Sequence, residues 1–256
     1  MRFSRIAQAA VAATIALSSL GAQAGIQVGG TRVIFDAKSD KRETTLAVRN
    51  KGDTPYVVQA FIDDGAGDTK NMPFTVTPPL VRLEGGKEQL LMIRRVEGKT
   101  QLPSDRESVF WVDVKEIPPT DRSLQKDASA LKIAVLTRVK LFYRPAGLTG
   151  NAADAPAQLK WSAVPGQNGR GAALKVSNPT PYHVTFSTIE VDGAQKESIN
   201  ADMVEPQSDL LIPIPERAVS KVGPVKFSYT TINDYGAVTP ATQVTASPSA
   251  ARAASQ

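Results

Sequence analysis

The sequence has no cysteine and one histidine, His183, among 256 residues. Without thiols there is no disulfide scaffold, no thiolate nucleophile and no zinc site of the Cys/His type. A serine–histidine–acid mechanism would have to run through His183. That residue sits in Pro181-Tyr182-His183-Val184, a strand start beside a turn, and reads as a surface or half-buried packing residue. No G-x-S-x-G segment, phosphate-binding loop or recognisable acid/base pair of carboxylates accompanies it, so neither catalysis nor a cofactor is expected. No segment sustains a helical period over three turns. Beyond the N-terminal stretch no run is long and apolar enough to cross a bilayer, so no membrane insertion is expected. The formal charge of +5 comes from dispersed basic residues, which argues against nucleic acid as the partner.

The N-terminal stretch has the parts of an export signal. Arg2 and Arg5 form a positive start, Ala9–Leu20 an apolar centre, and Ala22-Gln23-Ala24 a small-residue cleavage site. Residues 1–24 are therefore expected to be removed, leaving a mature chain that starts at Gly25 outside the cytoplasm.

Short β-rich runs follow, separated by Gly, Pro, Asn and Asp: Thr31–Phe35, Thr44–Arg49, Tyr56–Ile62, Phe74–Thr77, Glu88–Arg95, Ser108–Glu116 and Lys132–Arg144. Several alternate apolar and polar residues, as half-buried strands do. Seven such strands match an immunoglobulin-like sandwich. Pro145–Gln158 is rich in Ala, Gly and Pro, lacks anchors, and reads as an interdomain connection. A second series covers Leu159–Val164, Ala173–Val176, Val184–Val191, Leu210–Ile214, Val225–Ile232 and Val238–Ala246. The expected organisation is all-β, with domains at 25–147 and 148–246 and a disordered tail at 247–256.

One strand does not fit a self-contained sandwich. Leu131–Tyr143 reads LKIAVLTRVKLFY, and within Ile133–Leu136 both faces are apolar. A sandwich strand needs only one apolar face. A neighbouring loop or the other domain could cover the second, or another protein could add its own strand at this edge.

Leu102–Pro119, LPSDRESVFWVDVKEIPP, resembles the signature of the periplasmic PapD-like pilus-assembly chaperones. The likeness runs through Pro103, Asp105–Ser108, Trp111 and Ile117-Pro118-Pro119; Asp113 stands where the family usually has Asn. Gly30–Phe35 is similar to the family's first strand, Val76–Leu83 to its mid-domain turn and strand, Arg138–Pro145 to its last first-domain strand, and Ile232–Ala237 to a second-domain motif.

The resemblance implies a boomerang of two immunoglobulin-like domains with a cleft between them. It also implies a non-enzymatic periplasmic function: folding and capping pilus subunits by strand donation and passing them to an outer-membrane usher. A non-fimbrial surface polymer is the alternative client. Leu131, Ile133 and Val135 would enter successive pockets of the client's groove, each contributing about 1.5–3 kcal/mol before ordering costs. On this reading, one face of the strand serves the chaperone's own core and the other the client's. Arg32 and Lys140 would bind the client's terminal carboxylate. Lys140 has the opposite parity to the donor residues, so the strand is expected to turn it toward the cleft. Glu107, Arg144 and Asp234 would form an interdomain ion network. The loop Thr120–Ala130 is expected to be mobile until a client orders it and, being short, to place the chain in the short-loop subgroup. Self-association through Leu131–Val135 is a further expectation for the free protein.

Overall fold

The computed structural model describes residues 25–39, 42–96, 98, 100–119, 133–166 and 170–249. The expected export signal at 1–24, the expected loop at 120–130, Leu131 and residues 250–256 of the expected tail lie outside them.

Nine strands build the first unit: β1 (Ile26–Val28), β2 (Arg32–Asp36), β3 (Glu43–Asn50), β4 (Tyr56–Asp63), β5 (Phe74–Thr77), β6 (Leu80–Leu83), β7 (Glu88–Arg95), β8 (Ser108–Ile117) and β9 (Val135–Arg144). They form a four-stranded sheet, β1-β3-β7-β5, and a five-stranded sheet, β2-β9-β8-β4-β6. Period-2 alternation sends Leu46 and Val48, Leu91 and Ile93, Val112 and Val114, and Val139 and Leu141 into a shared core. Phe35, Phe74, Phe110 and Tyr143 close one end of that core, with ring centroids 5.2–6.0 Å apart.

The first two strands belong to different sheets. β1 pairs antiparallel with β3, and the chain then crosses at Gly29–Gly30 to run β2 parallel to β9. The Gly29 N–H donates to the Ala47 carbonyl at 2.7 Å. A Cβ at Gly29 would lie 3.1 Å from Ala47 atoms, so the close crossing favours glycine. Because β2 reaches β9 only at Lys140, the crossing leaves the earlier part of β9 without a partner on that side among the described residues.

The second unit contains β10 (Lys160–Pro165), β11 (Ala172–Asn178), β12 (Val184–Asp192), β13 (Lys196–Ile199), β14 (Met203–Val204), β15 (Ser208–Pro213), β16 (Val225–Thr231) and β17 (Thr242–Pro248). These strands join into one curled sheet, because β17 pairs antiparallel with β16 and then parallel with β10. A bulge between Phe186 and Thr188 shifts the parity of β12, so that both Phe186 and Ile189 face the core.

Two details differ from the sequence reading. The segment Pro145–Gln158 is anchored: Leu148 and Ala155 are buried in the second core, and 3-10 turns form at Ala152–Asp154 and Pro156–Gln158. Composition concealed this because the anchors are scattered single residues and backbone carbonyls, such as those of Gly150 and Pro156, which accept from Tyr182 and Tyr229. At the other end, β17 continues two residues into the expected tail, where Ser247 and Pro248 pair with Ser162 and Ala163.

Candidate functional site: cleft cations and an open strand edge

The parallel register of β2 and β9 sets Arg32 opposite Lys140 and Asp36 opposite Arg144. Two like charges, Arg32 and Lys140, thus sit side by side in the cleft. The Arg32 guanidinium lies 5.4 Å from the Phe142 ring centre and donates to the Ile232 carbonyl of the second unit at 2.9 Å, while its buried Nε has no partner. Burial holds its pKa below the ordinary value, against the opposing influence of Asp234 and Glu107.

The Lys140 ammonium lies 5.3 Å from the Trp111 ring centre and 3.6 Å from Asp202 Oδ1. Burial lowers its pKa too; Asp202 opposes the shift, and the Arg32 charge adds to it. The even-numbered face of β9 already looks toward the second unit, since Lys140 reaches Asp202 and Phe142 stacks beside His183 at 5.6 Å. No turn of the strand is needed to bring Lys140 to the cleft. Between the two units lies a cavity of about 370 Å³, lined by Arg32, Phe142, His183, Thr185, Ile232 and Tyr235 among others.

Glu107, Arg144 and Asp234 meet behind the cations. Arg144 Nε donates to Glu107 Oε1 at 2.7 Å, and its two terminal nitrogens donate to Asp234 at 2.6 and 2.7 Å. Burial alone would lower the Arg144 pKa, but hydrogen bonds to Asp234 and Glu107 outweigh it and raise the value. The second Glu107 oxygen accepts the backbone N–H of His183 at 2.9 Å and lies 2.8 Å from its ring Nδ1. His183 is half-buried, within the range its local sequence implied, but its side chain is tied into this cluster by Glu107 and does more than pack. Its partner is 76 residues away, and a lone histidine at a strand start carries no signal of so distant a carboxylate.

Sequence reasoning missed a second cluster on the same sheet face. Arg138 spans two buried acids: one terminal nitrogen donates to both Asp63 oxygens at 2.6 Å, and Nε donates to Asp113 at 2.9 Å. Its guanidinium also covers the Trp111 ring, 5.1 Å from the centre. The Asp113 side chain is 1% exposed. Its pKa rises to about 6, chiefly through burial and then through a hydrogen bond with Asp63, with Arg138 opposing. The only sequence clue was Asp113 itself, an acid where the resembled motif usually carries an amide.

The donor positions lie at the other end of β9. Val139, Leu141 and Tyr143 enter the core, but Val135 on the same parity is exposed and Ile133 is 66% exposed. Leu136 on the opposite face is exposed as well. Among the described residues neither face of Ile133–Leu136 is thus covered, contrary to the expectation that one face would serve the core: the strand outruns the sandwich. On one side Val135–Val139 pairs with β8, from Glu116↔Val135 to Val112↔Val139.

Comparison with known proteins decides the family. A profile described as the pili and flagellar-assembly chaperone PapD N-terminal domain matches residues 25–149, and one for the PapD C-terminal domain matches residues 154–243. This chain is a PapD-like chaperone.

Among the chaperone's relatives is the "probable fimbrial chaperone YadV" of Escherichia coli K12, 39% identical over 219 residues, covering 83% of this chain and 87% of the relative. The "chaperone protein FimB/FhaD" of Bordetella pertussis is 40% identical over 238 residues, covering 90% of this chain and 91% of its own. The crystal structure of the YadV chaperone aligns with a TM-score of 0.69 at 36% identity over 86% of this chain and 99% of that one. The SafB chaperone in complex with the SafA pilin of Salmonella enterica aligns with a TM-score of 0.71 at 28% identity, covering 88% of this PapD-like chain and 97% of that one.

Proposed function

We propose that this chaperone caps pilus subunits in the periplasm by lending the free edge of β9 to their incomplete fold, and then delivers them to an outer-membrane usher. The observation that carries the reading is a strand edge that is exposed and apolar at Ile133–Leu136, has no second strand partner up to Val139 among the described residues, and runs directly into two cleft cations. Unpaired backbone groups at such an edge accept an added strand, and exposed aliphatic side chains fill pockets in the added partner. Ile133 and Val135, together with Leu131 beyond the described residues, are the donor set. The SafB complex with a pilin supports a subunit as client.

In the same proposal Arg32 and Lys140 bind the subunit's terminal carboxylate and so fix its register along β9. Two half-buried cations, weakened by burial, gain more from an incoming carboxylate than water-exposed ones would. Residues 25–147 and 148–246, the latter extended to Pro248 by β17, act as the two domains, with the export signal removed near Ala24. Glu107, Arg144 and Asp234 hold those domains at a working angle, a role of orientation more than of net stability because desolvation offsets their attraction. Without a client, the same open edge is available to a second copy of the chain.

Two variants test these assignments. Ile133→Asp should fold with a melting temperature close to wild type, because the side chain is already largely in water, yet lose most subunit recovery in co-purification. Recovery at the wild-type level would remove Ile133 from the donor set. Glu107→Ala should change the interdomain distance distribution in solution scattering; an unchanged profile would deny the network its orienting role.

A further inference from the structure

Both cleft cations already touch second-domain oxygens, but the two contacts differ in kind. Arg32 meets a neutral carbonyl, that of Ile232. Lys140 meets a carboxylate, that of Asp202, which is the same chemical group the proposed client would bring. Among the described residues no other carboxylate lies within ion-pair distance of the Lys140 ammonium.

The placement of Asp202 follows from the strand order. β14 pairs with β12 through Val184↔Val204 and Thr185↔Met203, next to the point where His183 is tied to Glu107. The residue preceding β14 therefore projects across the cleft toward β9. Its carboxylate is oriented by the backbone N–H of Met203, which donates to Asp202 Oδ1 at 2.7 Å. The Met203 thioether also approaches the Lys140 ammonium, at 4.0 Å. The two charges are unequal in their surroundings: the Lys140 side chain is 16% exposed and that of Asp202 is 86% exposed. Asp202 can thus return to water at little cost, whereas Lys140 cannot. The Arg32 charge beside Lys140 makes an anion at this point more favourable still.

We propose that Asp202 is a resident competitor for the carboxylate anchor. It neutralises Lys140 in the free protein, yields to the terminal carboxylate of the client, and re-forms its contact as the client departs. It thereby lowers the anchor's resting affinity and speeds release. This inference rests on the anchor reading given above, and its test separates the two.

A labelled peptide of alternating valine and threonine, made with a free terminal carboxylate and again with a terminal amide, is titrated into the wild type, Asp202→Asn and Lys140→Ala. Asp202→Asn should bind the carboxylate peptide about two- to fivefold more tightly, with slower dissociation, and leave the amide peptide unchanged. Equal effects on both peptides, or none on either, while Lys140→Ala abolishes the carboxylate preference, would overturn the competitor and leave the anchor standing. A carboxylate preference that survives Lys140→Ala would overturn both. An NMR titration of the Lys140 side chain in the free protein decides the contact even where no peptide binds. Loss of the Asp202 charge should lower the Lys140 titration midpoint, and an unmoved midpoint overturns the proposal.

Discussion

Lys140→Ala is expected to lower recovery of a co-expressed pilus subunit at least ~30-fold while leaving the free chaperone folded. Truncating one partner of a shielded charge pair costs about 2–5 kcal/mol, because the remaining carboxylate is left in the cleft without its cation. In the free protein the same substitution removes only a loose contact to an exposed carboxylate, 3.6 Å away, and packing over Trp111 that Arg138 also supplies. The stability change should stay near ~1 kcal/mol or below. Arg32→Ala should behave alike in client recovery. Recovery at wild-type levels from both variants would refute the anchor.

The largest effect on stability is expected at Arg138. It is the cation shared by Asp63 and Asp113, both almost fully shielded from water. Arg138→Met should destabilise the fold at pH 7.5 by about 3–5 kcal/mol, since two buried acids lose their counter-charge. The pH dependence has a definite sign. Asp113 has a folded-state pKa of about 6, above its ordinary 3.8, so between those values the folded protein holds a proton that the unfolded chain has released. Stability from this group is therefore greatest below about pH 4 and is lost as the pH rises through about 6. The loss is on the order of 1–3 kcal/mol. Asp113→Asn should remove that slope and raise the melting temperature at pH 7.5. Urea unfolding at pH 4.5 and 7.5 checks both statements. A wild type more stable at the higher pH with the slope kept in Asp113→Asn would contradict the raised Asp113 pKa.

Much of the fold was legible because β-structure writes its period into the sequence. Glu88–Arg95, which sends Leu91 and Ile93 into the core, is found at those bounds as β7. β1, β13 and β14, by contrast, have two to four residues each. Runs that short carry too few alternations to stand out from loops. The apolar excess at Ile133–Leu136 was visible, but its cause was not. Whether β9 lay under a loop or ran past the sandwich depended on where the chain crossed sheets at Gly29–Gly30, about a hundred residues earlier. Motif likeness brought Glu107, Arg144 and Asp234 together on paper, and they do meet in space. His183, Asp63 and Arg138 escaped because each finds its partner across strands far apart in sequence, through pairings such as Asp113↔Arg138 and Asp63↔Trp111. Asp202 escaped for another reason: an exposed acid in a loop is ordinary until the opposite wall of the cleft is known.

Backbone hydrogen exchange along β9 tests strand donation most directly. In the free chaperone, the amides of Val135–Val139 that point away from β8 should exchange rapidly. On addition of a pilus subunit they should slow by about a hundredfold or more, while amides paired to β8 change little. Protection that appears elsewhere on the surface, with the outer amides of Val135–Val139 still exchanging as fast as in the free protein, would contradict it.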